Sequence, residues 1–90
     1  MTNDTRLEEL RLAIARLDEE IIRLLAKRLA MAKEIGKVKQ RLGTQVLDPA
    51  REAEVVRHAA ELAREHGVDP ELVRDLLWRI IAQARGVQDG

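Results

Sequence analysis

Between Leu7 and Leu42 apolar residues fall at Leu7, Leu10, Ile14, Leu17, Ile21, Leu24, Met31, Ile35, Val38 and Leu42. Apart from one gap, the steps alternate three and four, which predicts a long amphipathic helix with a single apolar seam, ending near Arg41. Residues 1–5, MTNDT, are polar and expected to fray, with Asp4 or Thr5 as the helix cap. Gly36 is the one weakening residue inside the helix, costing roughly 1 kcal/mol relative to Ala. The gap in the seam is filled by Arg28, between Leu24 and Met31. A guanidinium in an apolar seam is costly unless an anion meets it there.

Beyond the seam, Gly43-Thr44-Gln45 predicts a loop with Gly43 as the C-terminal cap. Asp48-Pro49 is a start signal, a capping Asp followed by Pro at the first helical position. It opens a second helix from Pro49 to about His66 with Ala53, Val56, Ala59, Ala60 and Ala63 as its stripe. Gly67 stops that helix, and Asp69-Pro70 starts a third, running to about Val87 along Val73, Leu76, Leu77, Ile80, Ile81 and Ala84. The expected fold is all-α, one long and two shorter helices, with residues 1–90 as a single domain. A first helix of about 36 residues spans roughly 54 Å, too long for a compact monomer of this size. A homodimer with the long helices paired is therefore expected.

Composition narrows the core and the partners. With no Phe or Tyr and only Trp78, the core is aliphatic, which suits interdigitating helices. Sixteen basic and sixteen acidic residues cancel, so nothing in the overall charge supports nucleic acid or an anionic membrane as partner. There is no Cys, no signal-like N-terminus and no apolar run of membrane-spanning length, so a cytoplasmic protein is expected.

The cations suggest how a neutral protein holds an anion. Arg28 and Lys39 are eleven residues apart, almost three turns, and project from nearly one face. Arg11 and Lys39 share a heptad position but are roughly 42 Å apart on one helix. If antiparallel helices cross near Ile22, Arg11 of one chain lands opposite Lys33 of the other, between Arg28 and Lys39. Three cations from two chains then converge on a site suited to a small dicarboxylate. Each has a plainer reading: Arg11 and Lys39 solvated or salt-bridged at heptad flanks, Arg28 paired with a carboxylate such as Glu52. In the first turn of the second helix, Asp48 is an N-cap, and Arg51 and Glu52 are expected to be solvated. Facing the cationic pocket instead, Glu52 would accept a hydrogen bond from a substrate hydroxyl. Gln88 follows Ala84 by four residues and extends the third stripe, or belongs to a frayed tail. No metal-ligand spacing, nucleophile set or phosphate-binding glycine loop is present, so no metal or cofactor is expected.

Taken in one register, LR(11)xxIxxLDxxIxxLLAxR(28)xxxAxEIGKxK(39), then DPxRE ending at Glu52, then a helix ending with Gln88, resembles the all-helical class of chorismate mutases over the whole chain. The resemblance implies an intertwined dimer with two sites, each built from both chains, that rearranges chorismate to prephenate without a cofactor. It implies that Arg11 from one chain and Arg28 from the other clamp the carboxylates. By the same resemblance, Lys39 and Gln88 would reach the ether oxygen, Lys39 also touching a carboxylate; Glu52 and the backbone at Asp48 would bind the ring hydroxyl, and Arg51 would support that corner. Ala84 stands where the family often has Ser, so only its backbone can serve there, and Gln88 must be held close to the last residue, Gly90. An isochorismate pyruvate lyase on the same scaffold, expected to lack an acid at Glu52, and a non-catalytic helical dimer are the rival readings.

Overall fold

The computed structural model describes residues 2–45 and 47–89, with side chains over 4–45 and 47–86. It contains three helices: α1 (Thr2–Leu42), α2 (Pro49–Glu65) and α3 (Pro70–Asp89), with no strand among the described residues. The all-α expectation holds, and the helices end within a residue or two of the positions that Pro and Gly mark. The start of α1 differs. It begins at Thr2, so Asp4 and Thr5 lie inside the first turns instead of capping them. MTNDT holds neither Pro nor Gly to stop helical propagation, and a carboxylate at Asp4 is favourable against the positive end of the helix dipole.

Both glycine stops work the same way. Gly43 and Gly67 each have φ near +70°, a region that L side chains enter at a cost and glycine enters freely. After α1, Gly43 N–H donates to the Gln40 carbonyl at 3.2 Å and Thr44 N–H to the Lys39 carbonyl at 2.9 Å. After α2, Gly67 N–H donates to Arg64 O at 3.3 Å and Val68 N–H to Ala63 O at 2.8 Å. These are two Schellman caps, satisfying carbonyls that a helix end would otherwise leave open.

The chain groups into two compact units, Met1–Met31 and Ala32–Gly90. The first holds only the N-terminal part of α1, whose last turns belong to the second. A lone helix cannot cover its own stripe, and Leu7, Leu10, Ile14, Leu17, Ile21 and Leu24 are all exposed, by 44% to 62%. In the second unit α2 packs on α3. Its buried apolar residues are small or medium: Ala32 from the end of α1, Val56, Ala60 and Ala63 from α2, Ile81 and Ala84 from α3. Among the described residues no large side chain is fully buried. Ala53 and Leu76, expected in the stripes of α2 and α3, are exposed, as is Trp78 at 43%. Positions at the edge of an apolar arc are covered only when a further element reaches them.

Candidate functional site

The site corner in the second unit is built on two helix ends. Lys39 lies in the last turn of α1, half-buried, and its own carbonyl accepts the Thr44 N–H of the Schellman cap. The motif that stops the helix thus pins the backbone of Lys39. Asp48 caps α2 with φ −136° and ψ 84°, its carboxylate accepting the Arg51 N–H at 3.1 Å, with Pro49 next in line. The Glu52 N–H then donates to the Asp48 carbonyl at 3.0 Å, closing the first turn and fixing the direction of Glu52.

Glu52 departs from the solvated first turn expected of it. Its side chain is only 15% exposed and is gripped by Arg85 of α3. Arg85 Nε–H donates to Glu52 Oε2 at 2.9 Å, and Nη2–H donates to Oε1. Such two-point geometry is the strongest form of a side-chain ion pair. Hydrogen bonding from Arg85 holds the Glu52 carboxyl below its ordinary value of 4.5. Partial burial opposes this, the Arg85 charge adds to it, Asp48 raises the value and Lys39 lowers it. The fields of Lys39 and Asp48 are therefore both felt at Glu52. Lys39, Asp48, Glu52 and Arg85 form one polar corner with the buried Ala84 beside Arg85 in sequence.

The other expected residues are less gathered. Arg51 points to solvent, 65% exposed, and pairs with Glu54 at 3.5 Å, as the plainer reading has it. Arg11 likewise pairs with Glu8 at 3.4 Å on the surface of α1. Arg28 is half-buried on α1 and has no carboxylate partner among the described residues. Arg11 and Arg28 are seventeen residues apart in one helix, roughly 26 Å, so within one chain they cannot meet on one small ligand. Gln88 lies in α3, but its side chain falls outside the described residues. A shallow surface depression lined by Glu34, Lys37, Val38, Gln40 and Arg41 contains none of these groups. Among the described residues no cluster of three or more His, Cys, Asp or Glu is arranged to hold a metal ion, and no helix is long and apolar enough to cross a membrane.

Arg85 is the residue that sequence reasoning missed. The signal was there in the form that exposed Arg28: Arg85 follows Leu77 and Ile81 at four-residue steps, so it occupies a place where the stripe calls for an apolar side chain.

Comparison with known proteins adds a family to this geometry. The family model described as chorismate mutase type II matches residues 10–89. A chorismate mutase of Methanocaldococcus jannaschii is 30% identical over 83 residues, covering 92% of this chain and 84% of that protein. The 4-amino-4-deoxychorismate mutase of Streptomyces venezuelae is 29% identical over 89 residues, covering 99% of this chain and 86% of that protein. The T-protein of Enterobacter agglomerans is 37% identical over 78 residues, and there the chain spans only 21% of the relative's length. A match that runs from the first turns of α1 to the end of α3 takes in every residue of the polar corner, and the chain belongs to the type II chorismate mutase family.

Proposed function

We propose that residues 1–90 act as one chorismate mutase domain, a cytoplasmic enzyme of aromatic amino-acid synthesis that converts chorismate to prephenate. The observation that carries this reading is Glu52: an acid in an exposed first turn is drawn out of solvent and kept ionised within the field of Lys39. The reaction is an intramolecular Claisen rearrangement, in which one carbon–oxygen bond breaks as one carbon–carbon bond forms. It needs no nucleophile. The enzyme's contribution is to hold the folded conformer and to meet the negative charge growing on the ether oxygen.

In this reading the working form is an antiparallel intertwined homodimer with two sites. Arg11 of one protomer and Arg28 of the other bind the two carboxylates of the substrate. Lys39 and Gln88 face the ether oxygen, with Lys39 also touching a carboxylate. Glu52 accepts from the ring hydroxyl beside the backbone of Asp48, Arg51 supports the same corner, and Ala84 offers its backbone alone. The separation of Arg11 and Arg28 along α1 supports the two-chain arrangement, as does the uncovered seam from Leu7 to Leu24.

The decisive experiment mixes purified protein with chorismate and follows its loss together with the appearance of prephenate. Turnover well above the spontaneous rate is expected, with Lys39→Ala and Arg28→Ala each lowering kcat/KM by about 100-fold or more while helix content stays unchanged. Absence of turnover by the unsubstituted protein would overturn the proposal.

A further inference from the structure

The Arg85–Glu52 pair has a chemical consequence for what the corner accepts, given the mutase reading on which it rests. Arg85 uses Nε and Nη2, one on each carboxylate oxygen. A carboxylate has roughly four acceptor positions, so this grip leaves room for a further donor. The pair is otherwise close to electrically neutral. Among the charges felt at Glu52, those of Glu52 itself and Asp48 are negative, and those of Arg85 and Lys39 are positive. A neutral hydroxyl arriving at Glu52 finds an acceptor. A protonated amine arriving at the same place finds the acceptor already neutralised by Arg85, so its desolvation is not offset by an unpaired negative charge. A lone ionised Glu52 would reverse that preference, because an unpaired carboxylate binds a cation better than a hydroxyl.

We infer that Arg85 is a positioning and specificity-determining residue: by pairing with Glu52 it orients that carboxylate and sets the corner for a neutral ring hydroxyl against a ring ammonium. Arg85 acts through Glu52 and needs no contact with substrate. The ring substituent is not part of the bonds that break and form, so its charge is felt about equally in ground and transition states. The discrimination therefore resides mainly in KM.

The test compares kcat/KM for chorismate with kcat/KM for 4-amino-4-deoxychorismate, its ring-amine counterpart. The unsubstituted protein is expected to prefer chorismate. Arg85→Met, which keeps length without charge, should lower the chorismate-to-amine ratio about tenfold or more, chiefly through KM. Arg85→Lys should retain most of the ratio, since it restores the charge without the two-point geometry. If the Met variant loses helix content, Arg85→Gln takes its place in the same comparison. An unchanged ratio in a folded Met or Gln variant overturns the inference and leaves the mutase reading intact. A preference of the unsubstituted protein for the amine overturns it too. Failure to turn over either substrate overturns the mutase reading itself, and this inference with it.

Discussion

Glu52 and Arg85 lie 33 residues apart in sequence, yet their pairing is the main cause that lowers the pKa of the most enclosed acid in the polar corner. Because the folded value of Glu52 lies below its ordinary 4.5, the ionised pair stabilises the fold above that value. The contribution is lost as pH falls from there through the folded value. Arg85→Ala is therefore expected to cost on the order of 1 kcal/mol at neutral pH, modest because Arg85 is partly solvated. In urea denaturation from neutral to acid pH, the gap between variant and parent should shrink on the acid side; a gap that widened there would contradict the pairing. At this scale the sequence was half legible. Arg28 announces itself by breaking a ten-position seam, whereas Arg85 breaks a shorter stripe near its end, where a switch to polar residues looks like fraying. The enclosure of Glu52 could not be read either, since it depends on what α3 brings to a turn that is open on its own element.

The helices themselves were marked by local chemistry that does not depend on packing. Asp48-Pro49 and Asp69-Pro70 start α2 and α3, and the carboxylate of Asp69 accepts the Glu71 N–H at 3.0 Å much as Asp48 serves Arg51. Gly43 and Gly67 stop α1 and α2 through positive φ. These signals are strong because each involves one residue type and a few neighbouring backbone groups. The start of α1 carried no such signal, and the helix runs on to Thr2. Gly67→Ala tests the cap at a position with open space around an added Cβ, so the cost is conformational. A loss of about 1 kcal/mol in equilibrium unfolding, without change in chorismate turnover, is expected. Because no atom crowds that position, a much larger loss would mean the turn has a role beyond capping.

For the molecule as a whole, the seam sets the terms. The six seam Leu and Ile side chains of the first unit, Leu7 to Leu24, are about half exposed or more. Covering them would contribute on the order of 5–10 kcal/mol before the entropy cost of association. Such a stripe suits a second copy of α1, and the shared-site reading makes a sharp prediction from it. Arg11→Ala and Lys39→Ala chains, each inactive alone, should regain about a quarter of normal activity when mixed and allowed to exchange, since half the dimers are mixed and each holds one intact site of two. Exchange without recovery would argue that the cations act within single chains. Trp78 adds a practical consequence. It is the chain's one tryptophan, with no Tyr or Phe anywhere in the sequence; it sits on α3 and is partly open to water. Its emission therefore reports on the second unit, while far-UV circular dichroism weighs the 41 residues of α1 most heavily. Followed together during dilution or heating, the two signals separate loosening of the α2–α3 pair from melting of the long helix, with no label added.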